Sequence, residues 1–152
     1  METSILNSIG PQIKIANTLI EKELNNRIAE ILTEYNLTGP QVALMIYIFE
    51  AKGRTVTQKE LADKFVLNHS TIRSIVKRLE KMQLIDVAHL KSDKRQIVLS
   101  LSGKGYNVIK NHINQIYKVM KNVNQKIVKN MSEDDQKYFS NSLNKIIKNF
   151  NI

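Results

Sequence analysis

Between Thr57 and Leu101 the chain sets out two short helical patterns, a turn, and two strand-like runs around a charged loop, and few folds accommodate that order. Thr57 followed by Glu60 is a capping-box pattern, with Leu61, Ala62 and Phe65 as the apolar positions behind it. A second helix starts at Asn68 or His69 and runs to about Gln83. Ile72, Ile75, Val76, Leu79 and Met82 share one arc of it, while Ser70, Arg73, Ser74, Lys77, Arg78 and Lys81 fill the opposite arc. Leu84 to Val87 and Ile97 to Leu101 are β-branched or apolar runs too short for helices, joined by the polar loop Leu90 to Arg95. Two helices, a turn and such a hairpin make a winged helix-turn-helix, so the expected class is mainly α, an α+β winged helix.

The flanks are helical. From Ile5 to Tyr35 apolar residues recur in steps of three or four, with Pro11 either near the true helix start or at a kink. Thr38 with Gln41 is another capping box, opening a helix that stops near Gly53. Tyr106, Ile109, Ile113, Ile116, Met120, Val123 and Ile127 then form a heptad seam, which is narrow and wants a partner helix. Ser132 with Asp135 caps a last helix carrying Phe139, Leu143, Ile146, Ile147 and Phe150. Residues 1–36 and 102–152 are therefore expected to form a helical dimerisation region, through Ile9, Ile13, Ile113, Ile116, Met120, Val123, Ile127, Phe139, Leu143 and Ile146. Residues 37–101 form the winged helix-turn-helix.

Charge separates these regions. The chain carries 23 Lys+Arg and 14 Asp+Glu, net +9. Residues 1–53 hold 4 basic and 6 acidic groups, 54–101 hold 10 and 5, and 102–152 hold 9 and 3. That balance favours a polyanionic partner, nucleic acid or an anionic membrane surface. The absence of cysteine excludes disulfides, thiolate nucleophiles, thiol redox sensing and Cys-ligated zinc. Met1-Glu2-Thr3-Ser4 shows no basic segment followed by a long apolar run, and no stretch approaches the roughly 18 apolar residues of a membrane span, so a cytoplasmic address and no membrane partner are expected.

No set of residues suggests catalysis. His69, His89 and His112 are far apart and form no metal-binding motif, and no phosphate-cradling glycine loop is present, so neither an enzyme, a metal nor a cofactor is expected. His69 reads as a DNA-contacting or capping residue and His112 as a solvated helix position.

A DNA-reading helix needs short polar side chains where its N-terminus approaches base edges, and longer basic ones to reach guanines or phosphates. His69, Ser70, Thr71, Arg73 and Ser74 meet the first need, Lys77, Arg78 and Lys81 the second. Taken alone, such a basic face is also what any solvated helix presents. In the hairpin loop, Arg95 has the reach for an electronegative minor groove, with Asp93 two residues earlier to hold its guanidinium; the same pair also reads as a plain hairpin salt bridge.

Glu60-Leu61-Ala62, Ser70-Thr71-Ile72, Arg78-Leu79-Glu80-Lys81, Leu84-Ile85, Asp93-Lys94-Arg95 and Leu101-Ser102-Gly103-Lys104-Gly105 together resemble the multiple antibiotic resistance regulator (MarR) family, by motif over roughly residues 37–108. The resemblance implies a homodimeric regulator, expected to be a repressor, whose two recognition helices meet a pseudo-palindromic operator in double-stranded DNA. It places Ser70 and Thr71 at the base-reading end, Arg95, oriented by Asp93, in the minor groove, and Lys94 beside it. It also implies a small aromatic or phenolic effector between the dimer and DNA-binding regions. The competing readings are an architectural or RNA-binding module without sequence choice and a coiled-coil adaptor whose winged helix binds protein.

The chain departs from the family pattern where glycine is common. Val66 stands in the turn between the two helices and Gln83 just after the second. A β-branched residue at φ > 0 is strained, so those turns are expected to differ. Val87-Ala88 replaces a basic pair at the opening of the wing.

Overall fold

The computed structural model describes residues 4–151. A 3₁₀ turn, Ile5–Asn7, leads into α1 (Ile9–Ile31) and α2 (Gly39–Glu50), then β1 (Val56–Thr57), α3 (Gln58–Lys64) and α4 (His69–Lys81). The hairpin β2 (Ile85–His89) and β3 (Ile97–Leu101) follows, and α5 (Gly103–Ile127) and α6 (Glu133–Phe150) complete the chain. This is the winged helix expected from the pattern. The reading of Met1 to Thr3, and the outer ends of the 1–36 and 102–152 arm, lie outside the described residues.

Local chemistry sets the boundaries. Pro11 falls in the first turn of α1, where a missing N–H costs no helical bond, so it marks the start and not a kink. Thr38 donates its backbone N–H to Gln41 Oε1 at 3.0 Å ahead of α2. Thr57, Asn68, Ser102 and Ser132 each accept a backbone N–H at the start of α3, α4, α5 and α6.

The antiparallel sheet runs β1-β3-β2, with Leu99 opposite Val56 on one side and Val87 on the other. Strand β1 escapes sequence reading because two residues show no alternation. Leu44, Met45, Leu61, Ile72, Leu79, Leu84, Ile85, Leu99, Ile109 and Ile116 are fully buried, so the core lies where α2, α3, α4, the sheet and α5 meet, and it extends through Ile28 and Leu32 to α1.

The α5 seam is divided between two fates. Ile109, Ile116 and Val123, one heptad position, are 0%, 0% and 3% exposed. They face the chain's own core and α1, which packs along α5. Two expectations are corrected by this: Ile116 and Val123 have no surface left for a second chain. The other heptad position stays accessible, with Met120 exposed and Ile113 and Ile127 half-buried. Ile9, Ile13, Phe139 and Leu143 are exposed and Ile146 is half-buried. Helix α6 contains no buried residue at all.

A second correction concerns the two turns. Val66 (φ 52) and Gln83 (φ 60) both adopt the left-handed conformation despite not being glycine. Leu67 donates its N–H to Ala62 O and Val66 to Asp63 O; Leu84 donates to Leu79 O and Gln83 to Glu80 O. These paired bonds are Schellman motifs, which require φ > 0 at the residue after the helix cap. The turns keep their geometry and the side chains bear the strain.

Candidate nucleic-acid interface

Helix α4 is built to turn a polar face outward. Ile72, Val76 and Leu79 are buried, while His69, Ser70, Thr71, Arg73, Ser74, Lys77, Arg78 and Lys81 are exposed. Asn68 Oδ1 accepts the Thr71 N–H at 2.8 Å and the Ser70 hydroxyl at 2.8 Å, so Asn68 caps the helix and His69 does not. Ser70 thereby has its hydroxyl hydrogen committed and its oxygen free to accept. Arg78 lies 3.5 Å from the Asn36 carbonyl, at the limit of a hydrogen bond, and its charge remains solvated.

The loop between β2 and β3 is closed by Leu90 N–H to Gln96 O and Gln96 N–H to Asp93 O, both 3.0 Å. Asp93 Oδ1 accepts the backbone N–H of Arg95 at 3.1 Å and its Nε–H at 3.2 Å. These two donors hold the Asp93 carboxyl below its ordinary range. The Arg95 side chain is 90% exposed, oriented at its base and open at its tip. Lys94 and Lys91 are exposed on the same loop. His89 Nδ1 lies 2.8 Å from the Lys94 carbonyl, which places the ring hydrogen on Nδ1 and braces the loop.

The far end of α4 is locked to α5. Ser102 Oγ donates to Gln83 O at 2.6 Å, Ser102 N–H to Leu84 O at 3.1 Å, and Lys104 Nζ to Met82 O at 3.2 Å. A Cβ at Gly105 would sit 1.9 Å from Leu84 O, so only glycine allows this approach. The Leu-Ser-x-Lys-Gly motif thus fixes the recognition helix against the long helix that follows.

Glu60 joins α3 to α2. Arg54 donates to both of its carboxylate oxygens, at 2.9 and 2.7 Å, and the Tyr47 hydroxyl donates at 2.6 Å. The side chain therefore serves this triad and does not close the capping box that Thr57 begins. These donors lower the Glu60 carboxyl from 4.5 to about 2, and the same hydrogen bonds raise the Tyr47 phenol and the Arg54 guanidinium.

Sequence reading reached α4 and the Asp93–Arg95 pair but missed Asn68, His89 and Lys91. Asn68 was visible as a helix start; its grip on Ser70 was not. His89 belongs to no motif, and its place next to the loop is the positional signal the sequence offers. Among the described residues, no group of three or more His, Cys, Asp or Glu side chains is arranged to hold a metal ion.

Behind the interface, α1, α2 and α5 line a mostly apolar, half-open pocket of about 620 Å³, with Phe65 and Leu67 on the side toward the helix-turn-helix. Tyr117 donates its hydroxyl to Glu50 Oε1 at 2.7 Å, tying α5 to α2 at its edge. That bond, with burial second, raises the Tyr117 phenol above its usual value.

A basic, solvent-facing α4, an arginine-bearing wing loop and a helical arm are the parts of a winged-helix protein. Residues 26–113 match the family model of the SarA/Rot transcriptional regulators, and the chain belongs to that family. Its fold is the MarR type. It resembles Sco3205 of Streptomyces coelicolor, a MarR family regulator solved in complex with DNA, at TM-score 0.80 and 19% identity over 100% of this chain and 92% of that one. It also resembles Bordetella bronchiseptica BpsR, whose DNA binding is regulated by 6-hydroxynicotinic acid, at TM-score 0.75 and 14% identity over 96% and 97%. In sequence it is 35% identical over 82 residues to YdcH, an uncharacterized helix-turn-helix regulator of Bacillus subtilis, covering 52% of this chain and 55% of that protein. The chain spans about half the length of the first curated relatives it matches.

Proposed function

We propose that this chain is a sequence-specific DNA-binding regulator that acts in the cytoplasm as a homodimer on a pseudo-palindromic operator, and that it represses by occupying that site. The observation that carries the reading is the exposed face of α4, polar at its capped N-terminus and basic beyond it, over an inner face anchored by buried Ile72, Val76 and Leu79. His69, Ser70, Thr71, Arg73 and Ser74 then address base edges, Lys77 and Arg78 phosphates or guanines, and Arg95, steadied by Asp93, the minor groove with Lys94 beside it.

The dimer is supported by what the single chain leaves uncovered. Ile9, Ile13 and Leu19 of α1 and Phe139, Leu143 and Ile147 of α6 are all exposed, more apolar surface than a monomer keeps in contact with water without a partner. Two half-sites about one helical turn apart, roughly 34 Å, are what such a dimer reads. A small aromatic effector that prefers another spacing of the recognition helices would release the operator. Among the described residues, no helix is long and apolar enough to cross a membrane.

The test is selection from a random duplex library at near-physiological salt. Enrichment of a palindrome with half-sites about 10 base pairs apart supports the proposal. Binding without enrichment favours an architectural protein, and no binding favours a protein-binding adaptor.

A further inference from the structure

The cavity under α2 has a one-sided electrostatic character. Its charged lining residues are Glu21 and Glu50, and no Lys or Arg lines it. Neither carboxylate has a cationic partner within ion-pair distance among the described residues. The two phenols on its walls already donate their hydrogens, Tyr47 to Glu60 and Tyr117 to Glu50, so neither is free to donate to an anion. Asn25 Oδ1 is occupied by the Gly39 N–H at 3.0 Å. Tyr47, Phe65 and Tyr117 supply aromatic surface, and Leu24, Ile28 and Ile116 an apolar base. In a chain of net +9 this is a local inversion of sign.

From this lining we infer that the effector site takes a lipophilic aromatic cation and rejects an aromatic carboxylate. An anion placed there would leave water to face two carboxylates with no Lys or Arg on the lining, and Arg54, beside Tyr47, is already held by Glu60. A quaternary or protonated amine gains their charge and the ring faces together, and needs no acceptor of its own. The volume of about 620 Å³ suits a ligand of two or three rings. A cation seated at Glu50 also sits beside the Tyr117 hydroxyl bond, one of the contacts between α5 and α2. The inference rests on the reading of the chain as an effector-controlled regulator.

Calorimetric titration of the full chain with (2-naphthylmethyl)trimethylammonium and with 2-naphthylacetate tests it, since the two share their ring and differ in the sign of their charge. The cation is expected to bind at least about tenfold more tightly, and Glu50→Gln to remove about tenfold of its affinity. Glu21→Gln, at an exposed α1 position, is expected to weaken the cation likewise and keeps the test open where Glu50→Gln disturbs the fold. Equal or tighter binding of the anion, binding of neither probe, or a cation affinity indifferent to both substitutions overturns the inference. A chain that prefers the cation but selects no duplex sequence keeps the charge preference and loses the regulator reading. One that selects a sequence yet binds both probes alike loses the charge preference alone.

Discussion

Lys104, in the first turn of α5, donates its ammonium to the carbonyl of Met82, the cap of the recognition helix, at 3.2 Å. A cation in a helix's own first turn is unfavourable, but here it answers the negative end of α4 and rests 5.7 Å from the Tyr35 ring centre. Lys104→Ala is expected to cost about 1 kcal/mol in urea unfolding and to speed amide exchange at the end of α4. Exchange unchanged there would show that the contact does not hold the helix in solution.

Val66 is left-handed and 86% exposed, so its side chain gains no packing in return for its strain. Val66→Gly is expected to stabilise the chain by about 1 kcal/mol, the relief of strain exceeding the extra freedom glycine brings to the unfolded state. A lower urea midpoint for the variant would contradict this.

Glu60 is held near 2 from an ordinary 4.5, so the folded state favours its carboxylate. Its contribution is complete above about pH 4.5 and is lost as pH falls toward 2. The stability gap between the natural chain and Glu60→Gln is expected to close over that window. It should be modest and shrink with salt, because the Arg54 and Glu60 side chains are 54% and 29% exposed. A gap that persists at pH 2 would assign the effect to something other than charge.

Arg95→Ala is expected to weaken binding to the selected duplex and to reduce the slope of log affinity against log salt by about one. Asp93→Asn should show a smaller loss with the slope preserved, since it frees the guanidinium without removing it. Unchanged affinity in Arg95→Ala would exclude the wing from the DNA complex.

Leu143→Asp is expected to yield monomers by light scattering with the winged-helix lobe intact. Ile116→Asp, at a fully buried position, should instead unfold the chain, at a cost of several kcal/mol. A dimer that survives Leu143→Asp would move the interface away from α6.

The helix-turn-helix, its wing and its buried face were legible because each is a local pattern: period on α4, turn chemistry at the hairpin, caps at the starts of α2, α3 and α4. The seam on α5 was legible as apolar and was assigned to the wrong partner at Ile116 and Val123. Periodicity shows that a face must be covered and does not say by which chain. At Val66 and Gln83 side-chain preference pointed to altered turns, and the backbone bonds of two Schellman motifs outweighed it. The grip of Ser102, Lys104 and Gly105 on the end of α4 depends on contacts about twenty residues apart in sequence, which no local pattern contains.

Helix α6, with no buried residue, has little within its own chain to hold it. An 18-residue helix in water is close to the length at which helix and coil balance. For the proposed dimer its order is therefore expected to be a matter of concentration, the last helix melting on dilution before the lobe does.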